Sequence, residues 1–195
     1  MTSSPIGLFG GTFDPPHLGH VAAAKRCRDA LGLERLLLVV ANDPWQKSPS
    51  RTISPASQRL AMVALAIEGE QGLEVCDFEV ARGGESYTID TVEELEAQGY
   101  RDPWIIVGSD LSATMDTWER ARDLQQHARL AVLSRPGSPL ELPEGWRAVA
   151  LESDELDISS SMIRQRLAQG ADVSELLPEG VIRHLGDHDL YSGQG

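Results

Sequence analysis

Positive charge is scarce in this sequence: 17 Lys and Arg stand against 30 Asp and Glu, a formal net charge of −13. A surface of that sign repels nucleic acid and anionic membrane, and no segment is left over for a helix-turn-helix. Long apolar runs are missing too. None approaches the roughly 18–20 residues that a membrane span needs, and Met1–Pro5 carries neither the basic start nor the apolar stretch of a secretory signal. There are only two cysteines, Cys27 and Cys76, far apart and outside any CxxC pair. Free thiols and a cytoplasmic location are the expectation. Several well-known site motifs are absent as well: no GxGxxG, no Gly-Lys-Ser/Thr, no HExxH. Neither an internal repeat nor a low-complexity linker divides the chain.

What remains is ordinary for a globular protein, with 41% apolar and 24% charged residues. A length of 195 residues suits one large domain, residues 1–195, able to bury a core. Strand-like and helix-like stretches alternate throughout. Ile6–Phe9 and the apolar runs Arg35–Ala41, Trp104–Val107, Arg129–Leu133 and Arg147–Leu151 read as strands, with Leu73–Val80 as a more alternating, edge-like one. Helices are predicted over Val21–Leu31, after Ser54-Pro55 with Leu60, Val63, Ala64 and Ile67 inward, from Thr88, over Ser159–Gln169, and from Val181 after Pro178. This alternation predicts an α/β fold, a doubly wound parallel sheet with helices on both faces and a helical C-terminal segment. Ligands in such sheets sit beyond the carboxyl ends of the strands, where strand order reverses. Gly10–His20 and Gly108–Asp110 are both carboxyl-end turns and are expected to share a crevice.

The first of those turns reads Gly10-Gly11-Thr12-Phe13-Asp14-Pro15-Pro16-His17-Leu18-Gly19-His20. The glycines let backbone N–H groups approach a ligand. His17 and His20, three apart, fall on one face of a helix start, where the dipole and free N–H groups favour an anion. The pair could also hold a metal, but no third ligand stands nearby, so phosphate contact is the stronger reading. An anion bound by so acidic a chain needs a locally positive site, for which His17, His20, Lys25, Lys47, Arg135 and Arg164 are the candidates.

A second motif is Ile158-Ser159-Ser160-Ser161-Met162-Ile163-Arg164. Ser159 can cap a helix, Ile158 can staple onto Ile163, and Arg164 offers a planar fork for phosphate oxygens.

The two motifs together resemble those of the HIGH-type nucleotidyltransferases, and the segments between them, from Ile6 to Tyr191, resemble the nicotinate mononucleotide adenylyltransferases. The resemblance implies a Rossmann-like nucleotidyltransferase domain whose C-terminal helical part, about 155–195, completes the ATP site. It implies transfer of the adenylyl group of ATP to nicotinate mononucleotide, giving deamido-NAD and pyrophosphate in NAD biosynthesis. The amidated mononucleotide and phosphopantetheine are the alternative acceptors. By residue, it implies that His17 and His20 are catalytic contacts to the triphosphate. Gly10, Gly11, Thr12, Phe13, Gly108, Asp110, Ser159, Ser161 and Arg164 are implied at ATP, and Lys47, Tyr87, Thr88 and Trp118 at the mononucleotide. Lys47 would approach from a lid over Trp45–Arg51. Mg²⁺ is implied as bound mainly through ATP phosphates, with no protein ligands, and self-association into a homo-oligomer is left open. The chain departs from the family at Pro44-Trp45-Gln46-Lys47, where many members read Pro-Pro-His-Lys, and at Ala41, where many carry Asn.

Overall fold

The structure, a computed structural model, describes residues 5–43, 53–135, 137–152 and 158–191. In chain order its elements are β1 (Ile6–Gly11), α1 (Leu18–Ala30), β2 (Arg35–Val40), α2 (Ala56–Ala66), β3 (Leu73–Cys76), α3 (Phe78–Arg82), α4 (Thr88–Ala97), β4 (Trp104–Gly108), α5 (Ser109–Ser112), α6 (Ala121–His127), β5 (Arg129–Leu133), β6 (Ala148–Leu151), α7 (Ser160–Ala168) and α8 (Glu179–Asp187). A 3₁₀ turn covers Met115–Thr117.

The six strands form one parallel sheet, ordered β3-β2-β1-β4-β5-β6. Because side chains alternate along a strand, the continuous apolar run of β2 feeds two cores. Leu36, Leu38 and Val40 join Val21, Met62, Val63, Ile163, Val181 and Leu185 on one face. Leu37 and Val39 join Ile89, Val92, Leu95 and Leu124 on the other. Helices therefore cover both faces, as the alternation predicts. The chain reverses its direction of winding between β1 and β4, so the carboxyl ends of these neighbours border the crevice.

Several predicted boundaries move, each for a local reason. The edge strand β3 stops at Cys76 rather than Val80, because the chain turns at Asp77 into α3, where the Ala81 N–H reaches the Asp77 carbonyl at 2.7 Å. Helix α1 begins at Leu18, three residues earlier than predicted, with His17 at its N-cap. Pro55, not Ser54, caps α2. Ser54 is occupied elsewhere: its N–H reaches the Asp14 carboxylate at 3.4 Å and its carbonyl accepts from Arg59 Nε at 2.8 Å. Of the residues expected inward from α2, Val63 and Ile67 are buried and Leu60 packs on the same core, whereas Ala64 is exposed; Arg59, Met62 and Ala66 are buried beside them. The short elements α5 and α6 are too brief for the helical periodicity that would reveal them. Helix α7 is capped as expected, Ser159 Oγ accepting from the Met162 N–H at 3.2 Å.

Candidate active site

The turn after β1 is built by packing. A Cβ on Gly11 would meet the Phe13 ring at 2.8 Å, so only glycine lets that ring fold back over the strand end. Phe13 holds φ 51° and packs edge-on against Phe9 and His20 at 6.1 and 5.0 Å. His17 and His20 stack with ring centroids 3.7 Å apart. The His17 N–H donates to His20 Nδ1 at 3.2 Å. A nitrogen that accepts carries no proton, so this bond assigns the neutral His20 ring a proton on Nε2 and makes that atom a donor. No acidic residue stands in the first turn of α1, which leaves the helix N-terminus electropositive.

The adjacent strand end supplies the facing wall. A Cβ on Gly108 would lie 2.3 Å from Asp110 Oδ1 and 2.5 Å from Arg135 Nε, so the pair formed by these side chains (3.3 Å) lies directly over a backbone that must lack a side chain. The start of α4 forms a third wall. Ser86 Oγ accepts the Asn42 N–H at 2.8 Å, tying this turn to the end of β2, and Tyr87 caps the helix through its backbone.

These walls enclose one cavity of about 480 Å³. Of the residues expected in the site, Gly10, Gly11, Thr12, Phe13, His17, His20, Tyr87, Thr88, Gly108, Asp110, Trp118, Ser159 and Ser161 all line it. Arg164 stands behind the lining. Its Nη1 donates to the Asp14 carbonyl at 2.6 Å and its Nη2 to Ser161 Oγ at 3.1 Å. Ser160 Oγ donates to the Pro15 carbonyl at 2.9 Å, so the two sequence motifs meet through two hydrogen bonds, from Ser160 and from Arg164. Lys47 and the stretch 45–51 lie outside the described residues. Of the remaining cationic candidates, Arg135 lines the cavity, whereas Lys25 pairs with Glu70 at 2.7 Å away from it.

Three groups that the sequence reading did not single out shape the site. Glu79 reaches the cavity from α3 and takes hydrogen bonds from Thr91 Oγ1, at 3.3 Å, and from Ser86; burial pushes its carboxyl up against them. Asp14, 1% exposed, accepts from the Tyr191 hydroxyl at 2.5 Å, and burial followed by that carboxylate pushes the phenol up. Arg59 is likewise 1% exposed, beneath the turn.

Burial, with Arg135 as the second cause, pulls the His17 imidazole down to about 4. His17 is 6% exposed and its Nδ1 has no hydrogen-bond partner among the described residues. At neutral pH it is an uncharged ring, not a cation. The unfolded chain binds a proton at His17 near pH 6.5 and the folded chain only near 4, so stability is complete above 6.5 and lost as pH falls through that window. This residue alone is expected to remove about 2 kcal/mol between pH 7.5 and pH 5. Urea unfolding of wild type and His17→Gln at both pH values measures it; equal pH dependence in the two proteins would reject it.

Comparison with known proteins gives a consistent picture. The cytidylyltransferase-like family model matches residues 8–166. A protein of Bordetella petrii described as "probable nicotinate-nucleotide adenylyltransferase" is 42% identical over 195 residues, covering 95% of this chain and 98% of that protein. One of Roseiflexus sp. with the same description is 38% identical, covering 98% of this chain and 100% of that protein. A solved structure of Plasmodium falciparum nicotinic acid mononucleotide adenylyltransferase complexed with NaAD superimposes with TM-score 0.80 at 16% identity, covering 96% of this chain and 97% of that one. At that identity the likeness speaks for the fold alone.

Proposed function

The chain belongs to the nicotinate-nucleotide adenylyltransferase family, and on that premise we propose that its cavity joins ATP to nicotinate mononucleotide, giving deamido-NAD and pyrophosphate in NAD biosynthesis. The observation that carries the reading is the meeting of both phosphate-type motifs on one turn: His17 and His20 line the cavity with Ser159 and Ser161, and Arg164 holds the Asp14 carbonyl between them. Cys27 and Cys76 are both buried and form no disulfide, which supports a cytoplasmic setting. Among the described residues no helix is long and apolar enough to cross a membrane.

The nucleophile is the phosphate of the mononucleotide. Its second pKa lies near ~6, so it is largely dianionic at neutral pH and needs no general base. The cavity accordingly has to hold two polyanions in line and neutralise charge that grows on the leaving pyrophosphate. His20 Nε2–H and the α1 N-terminus supply donors at the transferred phosphate, with neutral His17 stacked beside them. Ser159, Ser161 and Arg164 serve the outer phosphates, and the C-terminal helical part, about 155–195, completes the ATP site. Gly10, Gly11, Thr12, Phe13, Gly108 and Asp110 hold the rest of the nucleotide. Tyr87, Thr88 and Trp118 hold the mononucleotide: α4 N–H groups suit a carboxylate, and an indole face suits a pyridinium cation.

Mg²⁺ carried on ATP would supply charge neutralisation at the phosphates when bound. The side chains lining the cavity are chiefly hydroxyls with the two imidazoles and the carboxylates of Asp14, Glu79, Asp110 and Glu119, and among the described residues no three His, Cys, Asp or Glu side chains gather to cage a metal. Such a lining suits an ion carried on the substrate.

Pyrophosphate release measured with nicotinate mononucleotide, nicotinamide mononucleotide and phosphopantetheine tests the assignment. The acid is expected to be the preferred acceptor, and activity only with phosphopantetheine would overturn it. Within that assay Trp118→Ala is expected to raise KM for the mononucleotide about tenfold while moving KM for ATP little, since a desolvated cation–π contact contributes up to about 2 kcal/mol. Equal effects on both substrates would refute the aromatic platform.

A further inference from the structure

Arg59 is the largest fully buried side chain among the described residues, and it lies outside the cavity. Its guanidinium makes four hydrogen bonds, all to main-chain carbonyls: Nη1 to Thr12 (2.9 Å) and Ala41 (2.6 Å), Nη2 to Asn42 (2.9 Å) and Nε to Ser54 (2.8 Å). One side chain from α2 therefore gathers the strand ends of β1 and β2 and the entry to its own helix. The acceptors are neutral, so the bonds spread the charge without cancelling it. The buried carboxylate of Asp14, itself tied to Tyr191, is the foremost acid acting on it.

We propose that Arg59 is a positioning residue for the nucleotide, aiming the Thr12–Phe13 peptide and placing a fixed positive charge behind the phosphate-binding turn. The inference rests on the adenylyltransferase reading of the cavity. In a trans peptide the C=O and the following N–H point to opposite sides, and the one cis bond among the described residues is Asp14–Pro15. With the Thr12 carbonyl drawn inward to Arg59, the Phe13 N–H is turned outward, on the side where Thr12 and Phe13 line the cavity. Phe13 holds its φ of 51° in the left-handed region, which a non-glycine residue keeps only where the surroundings over-determine it. The Thr12 carbonyl bond is one such determinant. The charge matters as well. A chain of net charge −13 repels a triphosphate at long range, and a cation out of reach of solvent is little screened by salt.

The test uses the full-length protein with Arg59→Met, which keeps length and apolar volume, and Arg59→Lys, which keeps the charge but not the planar fork. ATP binding by calorimetry, KM for each substrate and kcat are measured well below each variant's Tm. Arg59→Met is expected to weaken ATP binding about tenfold, ~1.4 kcal/mol, to lower kcat, and to leave KM for the mononucleotide within about twofold; Arg59→Lys should recover at least half of the lost ATP affinity on a logarithmic scale. If Arg59→Met does not fold, Arg59→Lys decides, by shifting ATP binding and not the mononucleotide KM. Lowered Tm with unchanged ATP binding and kcat, an equal shift for both substrates, or failure of both variants to fold would each make Arg59 a brace of the fold and overturn the inference. Wild-type ATP binding without acceptor-dependent pyrophosphate release would instead count against the adenylyltransferase reading, while the calorimetry still reports on Arg59.

Discussion

Replacing His20 by alanine is expected to lower kcat about 10²–10³-fold while the protein stays folded, the usual cost of removing one donor aimed at charge that develops in the transition state. The geometry makes His20 the better-placed of the two imidazoles. It sits in the first turn of α1, half-buried, with its ring edge-on to Phe13 and stacked on His17. Its Nδ1 is committed to the His17 N–H, which directs the proton to Nε2. Removing the ring deletes the donor and leaves the helix N-terminus and the second imidazole. The loss should therefore fall on kcat, with KM for ATP changing by less than about threefold, because an interaction made mainly in the transition state leaves ground-state binding nearly intact. Steady-state kinetics with both substrates and a thermal melt measure this. Wild-type turnover in the variant would remove His20 from the chemistry. The contrast with His17 is informative: that ring is buried, so its removal should register in the pH dependence of stability as well as in rate.

The sheet and most of the cavity wall were legible because the sequence signals there are strong. The continuous apolar runs of β2, β4 and β5 mark strands buried on both faces. The glycines and histidines of the first turn combine residue types that have few reasons to occur together at that spacing. What escaped was polar and buried. Arg59 is buried on α2 beside Val63, at a position adjoining the apolar face that Leu60, Val63 and Ile67 mark, where a cationic side chain is not expected. Its partners are four carbonyls scattered over residues 12–54, and no local pattern encodes them. Glu79 lies where alternation reads as the end of a strand, although the chain has already turned into α3. Asp14 invites the reading of a helix cap, yet its carboxylate meets Tyr191, 177 residues along the chain. Long-range polar pairing of this kind leaves no periodicity behind, so it becomes visible only once the fold brings the partners together.

Arg164 shows how such pairing can serve function, and its replacement carries the second large effect. Arg164→Met is expected to reduce kcat/KM for ATP about 10²-fold, since hydrogen bonds to charged groups contribute about 1.5–3 kcal/mol each. The guanidinium already grips the Asp14 carbonyl at 2.6 Å and Ser161 Oγ at 3.1 Å, so it fixes α7 against the turn that bears His17 and His20. Two contributions are then mixed: direct contact with the outer phosphates, and bracing of the turn. Two further variants separate them. Arg164→Lys keeps the charge and loses the planar fork, and should retain an intermediate kcat/KM. Tyr191→Phe removes the hydroxyl that holds the Asp14 carboxylate and loosens the same turn without touching Arg164. If bracing were the whole effect, Tyr191→Phe would reproduce the loss seen in Arg164→Met, and Arg164→Lys would be as poor as the methionine. If the guanidinium contacts phosphate, Tyr191→Phe should cost less than about tenfold, and the loss in Arg164→Met should fall on ATP with KM for the mononucleotide unchanged. Parallel losses for both substrates would place Arg164 outside the triphosphate site.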